Sequence, residues 1–258
     1  MSLSGDHYNP LIRKLEAFSP LSDEEKAAIR AAPAQLRQLG PREDLIREDD
    51  PPTGVNLVLD GLAYRYKLLP GGRRQILSWL APGDLCDTRV FILRRMDHAI
   101  AAFVPTRFAI FNPDTIAGLG RRHPRLRRAI WWSDLVEEAI TREWLVNLGQ
   151  RTAVERAAHL LCEIHYRLRI VGLAGDGSFT LPVTQNELGD TLGLSTVHVN
   201  RTLQELRREG LIAQHGREIV VLDADGLRRI GGFNPNYLHP DADSEDPADD
   251  GLWAPRPG

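Results

Sequence analysis

The chain has 258 residues, 42% of them apolar and 26% charged, with a net charge of −3, the make-up of an ordinary globular protein long enough for two domains. It contains no apolar run of about 18 residues, and its start, MSLSGDHYNP, lacks a basic-then-apolar leader, so neither a membrane span nor an export signal is expected and the cytoplasm is the expected location. Two cysteines, Cys86 and Cys162, are too few for a disulfide framework or a four-cysteine iron–sulfur cluster, and the small net charge leaves any nucleic-acid partner to be decided by where the charges sit.

Residues 10 to 32 read as a short helical region, with Ser22 and Glu25 at capping-box spacing. From Gln38 to about Phe111 the pattern changes. Val55, Leu57 and Leu59 alternate with Asn56, Val58 and Asp60, and turn signals recur at Asp60-Gly61, Pro70-Gly71-Gly72 and Pro82-Gly83-Asp84. Between them lie the strand-like runs VNLVL, LAYRYKLL, RQILSWL, AIAAFV and RFAIF, which predict an all-β roll or barrel. After Pro124 a long helix is predicted, free of glycine until Gly149. It carries one apolar stripe at Leu126, Ile130, Ile140, Trp144 and Leu148 and a second at Trp132, Leu135, Val136, Ala139 and Val146. A helix on a single core needs one stripe, so the second is expected to meet the roll or a partner copy. A further amphipathic helix, TAVERAAHLLCEIHYRLRIVG, follows. The acidic, proline-rich stretch from residue 234 to 258 has little to bury and is expected to be a disordered tail.

Two short helices joined at Gly193, then GLIAQHGREIVVLD as a hairpin around His215-Gly216, give the winged helix-turn-helix arrangement. Thr184 is placed to cap the first helix, with Glu187 completing its capping box and Leu188 and Leu192 facing inward. Ser195 is placed to cap the second, whose Val199, Leu203 and Leu206 take the core positions. The outward face is then Thr196, Val197, Asn200, Arg201 and Gln204, the face that can lie in a DNA major groove. Arg201 can form paired bonds to guanine O6 and N7, and Asn200 can pair with adenine or hold a phosphate. Thr196 and Val197 offer methyl contact to thymine, and Thr184 and Gln185 suit phosphate oxygens.

The region VTQNELGDTLGLSTVHVNRTLQELRREGLI and the hairpin after it, preceded by a roll with LAPGDL and a long central helix, resemble the Crp/Fnr transcription regulators over about residues 15 to 232. The resemblance implies an α+β fold. Residues 1–120 would be a double-stranded β-helix (jelly-roll) sensor domain of the cyclic-nucleotide-binding kind and 121–150 a central dimerisation helix. Residues 151–233 would be the winged helix-turn-helix DNA-binding domain. It also implies a homodimer on a pseudo-palindromic operator, with double-stranded DNA and RNA polymerase as partners and a small-molecule effector of unknown identity. Arg201 matches the family's guanine-reading arginine. Val197 stands where many members carry a cytosine-reading glutamate, so a departure from the commonest operator is expected.

Members that bind cyclic nucleotides use a glutamate for the ribose and an arginine-serine pair for the phosphate. Here Thr88 falls at the glutamate's place, with Asp87 beside it, and His98-Ala99 replaces arginine-serine, so cyclic AMP is not the expected effector. Arg94 or Arg95 could supply a substitute grip, but both fall in an expected loop or surface helix, where a solvated role is commoner. A redox- or metal-responsive regulator using Cys86 or the run His159, Cys162, Glu163 and His165 is an alternative, as is a scaffold that does not bind DNA. No cofactor or bound metal is expected, and the absence of G-x-S-x-G, P-loop, G-x-G-x-x-G and H-E-x-x-H patterns argues against an enzyme. Residues 151 to 232 hold ten arginines and ten acidic residues, so attraction to DNA depends on the local cluster of Arg201, Arg207, Arg208 and Arg217. The denser run RRHPRLRR at 121 to 128 reads as a solvated face.

Overall fold

The computed structural model describes residues 10 to 240 apart from 176–177 and 216–217. Helices α1 (Pro10–Glu16) and α2 (Asp23–Ala31) open the chain. Ser22 caps α2 as expected: its Oγ accepts from the Glu25 N–H at 3.2 Å, while Glu25 Oε2 accepts from the Ser22 N–H at 2.8 Å. The roll follows as β1 (Ala34–Leu39), β2 (Asp44–Ile46), β3 (Val55–Asp60), β4 (Ala63–Leu68), β5 (Arg74–Leu80), β6 (Leu85–Cys86), β7 (Ala99–Ala102) and β8 (Thr106–Phe111).

These strands form two antiparallel four-stranded sheets, ordered β1-β8-β3-β6 and β2-β7-β4-β5. All five strand-like runs of the sequence are strands. The three further strands, β1, β2 and β6, lie at sheet edges. Edge strands need bury only part of a face, so alternation is weak there: in β1 only Ala34 and Leu39 are buried.

Helix α3 (Pro113–Arg122) leads into α4 (Pro124–Gln150), 27 residues long. Leu126, Ile130, Ile140 and Trp144 are buried, but so are Trp132, Val136 and Ala139, which the sequence had put on a second face. The two stripes merge because the roll, α1 and the helix after α4 wrap around most of it. The apolar residues left uncovered are Trp131, Leu135, Leu145 and Val146. No helix among the described residues is long and apolar enough to cross a membrane.

The last third comprises α5 (Ala153–Ile170), β9 (Ser178–Thr180), α6 (Gln185–Leu192), α7 (Thr196–Arg208), β10 (Ile212–His215), β11 (Glu218–Val221) and α8 (Ala224–Gly231). The stretch expected to begin a tail at 234 instead forms a 3-10 turn, Pro235–Leu238, with Leu238 buried and the Tyr237 hydroxyl donating to Glu163 at 2.8 Å. An apolar anchor and one buried acceptor hold it down, a pairing that composition does not show. The rest of the expected tail, 241–258, lies outside the described residues.

Roll and C-terminal third share one apolar cluster that runs from Tyr64, Ile76 and Trp79 through Trp144 and Leu160 to Leu188, Val199 and Leu206. Beside it lies a buried charge chain. Asp84, in the LAPGDL turn, accepts from Lys14 Nζ at 2.7 Å and Arg167 Nη2 at 2.6 Å, and from the Ala81 N–H at 2.7 Å. Arg167 also donates to Glu163 at 3.2 Å, and Glu163 accepts from the Trp144 indole at 3.1 Å. Burial alone would raise the Asp84 carboxyl, but the charges of Lys14 and Arg167 outweigh it and hold it at about 2, below the ordinary 3.8. A carboxylate depressed in the folded state stabilises the fold above its unfolded value and loses that contribution as pH falls through the folded one. Asp84→Ala leaves the buried Lys14 without its carboxylate and Arg167 with Glu163 alone, and should lower unfolding free energy by about 3–5 kcal/mol in urea titrations near neutral pH. The difference from the unaltered protein should shrink as pH falls from 4 towards 2, and a difference independent of pH would contradict the assigned role.

Candidate nucleic-acid interface and sensing cavity

Each half of the helix-turn-helix is built from its own caps. Thr184 Oγ1 accepts from the Glu187 N–H at 3.3 Å and Glu187 Oε2 accepts from the Thr184 N–H at 2.7 Å, closing the predicted capping box on α6. Gly193 ends α6 at φ +67, a left-handed conformation that glycine adopts without steric penalty. Ser195 Oγ then accepts from the His198 N–H at 3.3 Å and starts α7. Val199, Leu203 and Leu206 are all but fully buried against Leu188, Leu192, Leu160 and Leu161. Thr196, Val197, Arg201 and Gln204 are exposed, Val197 at 69%, while Asn200 is half-buried.

The helix face expected to read bases is therefore open to solvent, not packed against the roll. Gln185 is exposed and Thr184 half-buried at the start of α6. His198, exposed in the first turn of α7, joins the ridge although the sequence argument passed over it. Its one signal was its place between the outward Val197 and the inward Val199. Arg208 is exposed at the far end and Arg207 donates to Gln214 of β10 at 3.3 Å. Strands β10 and β11 pair in antiparallel register from Ile212–Val221 to His215–Glu218, with β9 as the third strand, which makes the wing. Arg217 and the turn glycine Gly216 lie outside the described residues.

The motif is docked on its own roll through the other side of α6. Trp79 Nε1 donates to Thr191 Oγ1 at 3.0 Å, Arg74 pairs with Asp190 at 2.8 Å, and Arg42 pairs with the buried Glu187 at 3.2 Å. Arg74 also lies over the Tyr64 and Tyr66 rings.

Asp87, Thr88 and His98 line a cavity of about 770 Å³ between the roll and α4. Ala99 is buried in β7 opposite Tyr66 and is not part of its wall. Nor are Arg94 and Arg95, both exposed, with Arg95 donating to the Asp49 carbonyl. Sequence reasoning missed the charged centre of the cavity, Arg65 from β4 with Asp134 and Glu137 from α4. Its one trace was an arginine in the middle of the strand-like LAYRYKLL.

The cysteines are poorly placed for redox sensing. Cys86 is fully buried and burial pushes its thiol well above the usual range; burial also pushes Cys162 up to about 12. His159, Cys162 and His165 are not brought together. His159 bonds Asn147 at 3.0 Å, and burial first, then the charge of Arg151, pushes its ring down to about 4. His165 donates to the Gly175 carbonyl at 2.8 Å. Among the described residues no group of three His, Cys, Asp or Glu side chains could hold a metal ion, so the metal-responsive alternative has no built site there.

A β-roll followed by a long helix and a winged helix-turn-helix with an open, arginine-bearing ridge defines a DNA-binding transcription regulator. Residues 155–230 match the family model described as a Crp-like helix-turn-helix domain. The chain is 34% identical over 186 residues to the nitrogen fixation regulation protein FixK of Bradyrhizobium diazoefficiens, covering 70% of this chain and 75% of that protein. It is 31% identical to the transcriptional activatory protein AadR of Rhodopseudomonas palustris, over 76% of this chain and 77% of the relative. Among solved structures it is similar to FixK2 from Bradyrhizobium japonicum, with a TM-score of 0.68 and 28% identity over 78% of this chain and 99% of that one. The chain belongs to the Crp/Fnr family of transcription regulators, which are not enzymes.

The turn between α6 and α7 is tight enough to test. A methyl group on Gly189 would sit 2.5 Å from the Leu194 carbonyl oxygen, the carbonyl of the very residue whose N–H bonds back to Gly189 at 3.0 Å. Gly189→Ala should therefore force the two helices apart and lower stability by about 1–3 kcal/mol. Calorimetric unfolding would show it, and an unchanged melting temperature would refute the close approach.

Proposed function

We propose that the chain acts in the cytoplasm as a homodimer on a pseudo-palindromic operator. Its two α7 helices would enter successive major grooves about 34 Å apart. The observation that carries this reading is the division of α7 into a buried face, Val199, Leu203 and Leu206, and an open polar one centred on Arg201. On that face Arg201 reads guanine through its paired donors, Asn200 bonds a base edge or phosphate, and Gln204 reaches the groove behind them. Thr196 and Val197 supply methyl contacts, while Ser195, Thr184 and Gln185 meet the phosphate backbone. RNA polymerase is the partner that a bound dimer would engage at a promoter.

The uncovered face of α4 supports the pairing. Trp131, Leu135 and Leu145 are 40%, 56% and 66% exposed and recur at spacings of a coiled-coil seam, where a second copy would cover them. The sensing unit, the central helix and the DNA-binding unit would follow the limits 1–120, 121–150 and 151–233. Cyclic AMP does not suit the roll, because His98 and Ala99 take the place of a phosphate-gripping pair and Asp87 stands in the cavity.

Selection of bound duplexes from a random pool should return a two-fold-related site. Arg201→Ala should weaken binding to that site by about 1–3 kcal/mol and relax preference at one base pair in each half. Equal affinity of the variant for selected and scrambled duplexes, matched by equal affinity of the unaltered protein, would remove the reading. Leu135→Glu should convert the dimer to a monomer in sedimentation analysis and weaken operator binding, whereas an unaltered sedimentation coefficient would move the pairing surface off α4.

A further inference from the structure

The roll bonds to both ends of α6. Trp79 and Arg74 reach its last turn, at Thr191 and Asp190, while Arg42 reaches its first, at Glu187. Arg42 lies between β1 and β2 at φ +64, and its N–H donates to the Ala102 carbonyl at 2.7 Å. Glycine or asparagine takes that left-handed conformation at little cost and arginine does not, so the geometry of the turn gives no reason for an arginine. The reason has to be sought in the side chain.

That side chain is 63% exposed and spends a single donor, Nε, on Glu187 Oε1 at 3.2 Å. Its two terminal nitrogens have no hydrogen-bond partner among the described residues. Glu187 is fully committed by contrast. Its side chain is 3% exposed, and Oε2 accepts from the Thr184 N–H at 2.7 Å and from Thr184 Oγ1 at 2.9 Å, so one carboxylate joins Arg42 to the residue that caps α6. As the carboxylate of a capping box it also meets the partial positive charge of the helix start. Other acids close by are taken up: Glu43 accepts from the Gly40 N–H at 2.9 Å, Asp44 from the Tyr66 hydroxyl at 2.9 Å and Asp190 from Arg74 at 2.8 Å. The carboxylate is buried and the guanidinium is open, which leaves unspent donors facing solvent where α6 begins.

A backbone phosphate offers acceptors only, and the planar fork of an arginine meets its oxygens in pairs. We propose that Arg42 is a DNA-contacting residue supplied by the roll, its terminal nitrogens gripping one phosphate in each half-site beside those met by Thr184 and Gln185. The inference rests on the reading of α7 and the start of α6 as the DNA-facing surface, and it extends that surface onto the sensing unit. A phosphate contact carries no base information, so it adds affinity for any duplex. It also exists only while α6 stays docked on the roll, which makes the strength of DNA binding depend on that docking.

Fluorescence anisotropy of the full chain on a selected operator and on a scrambled duplex, over a series of salt concentrations, tests the contact. Arg42→Gln keeps a donor for Glu187 and removes the charge. With one phosphate lost in each half-site, the slope of log affinity against log salt should fall by about 2, and both duplexes should weaken alike, about tenfold or more at about 0.1 M salt. Arg122→Gln, at the end of α3 and a full length of α4 (about 40 Å) from the DNA-binding unit, removes the same charge and should leave the slope unchanged. An uncharged methylphosphonate placed at each backbone position in turn separates contact from indirect damage, because at one position per half-site its cost to the unaltered protein should vanish in Arg42→Gln. If Arg42→Gln melts at a lower temperature, Arg42→Lys returns the charge and should return the slope. An unmoved slope, one that Arg42→Lys leaves low, a changed ratio of operator to scrambled affinity, or methylphosphonate costs that persist in Arg42→Gln at every position would each overturn the proposal. Selection with the unaltered protein keeps the two readings apart: a two-fold site returned beside an unmoved slope removes the contact of the roll alone, whereas no site returned removes the DNA-facing surface itself.

Discussion

The three charges at Asp84 hold the molecule's parts in one arrangement. Lys14 comes from the first helix, Asp84 from a turn of the roll, and Arg167 from the helix that begins the DNA-binding unit. Glu163 extends the chain to Trp144 of the central helix and Tyr237 beyond the wing. A buried ion pair seldom adds much net stability over an apolar substitute, but losing one partner is severe because the other is left charged in a dry place. Its contribution here is positional. Charges can be satisfied in only one relative placement of roll, central helix and α5, whereas apolar side chains would tolerate several.

With that placement set, β5 serves two contacts. Arg74, Gln75 and Trp79 meet α6, and Gln75 to Ser78 line the cavity. The reading ridge on α7 is left free because α6 takes up the contact with the roll. Docking and reading are thus divided between the two helices of the motif, so the roll can hold the motif without blocking it.

Much of this was legible in the residues alone. The capping box of α6, the Ser195 cap of α7, the glycine between them and the inward positions of α7 are local matters, decided within a few residues, and each is where the spacing put it. Five strands of the roll, β3, β4, β5, β7 and β8, were legible from their own runs of residues. What could not be seen depended on distant partners. β1 and β2 show little alternation because an edge strand leans on one neighbour, and the choice between the roll and a partner copy for the second stripe of α4 was open until the folded chain put Trp132 and Val136 in one cluster with the roll. The cavity's charges come from β4, the turn after β6 and α4, so no window of sequence contains them. Asp87 and His98 were found by family position, while Arg65 and Glu137, which give the cavity its electrostatic character, were not.

The apolar cluster shared by roll and motif makes the DNA-reading unit a poor candidate for independent life. A fragment cut after the central helix would lay bare the sides of Leu160, Leu188 and Leu192 that now share a cluster with Trp79 and Trp144, and would leave Arg167 without Asp84. Such a piece would be prone to aggregate before it met a promoter. Swapping sensors among relatives by joining halves at residue 151 would fail for the same cause unless the seam residues travelled with the graft. Heredity has tied the reader to its own sensor.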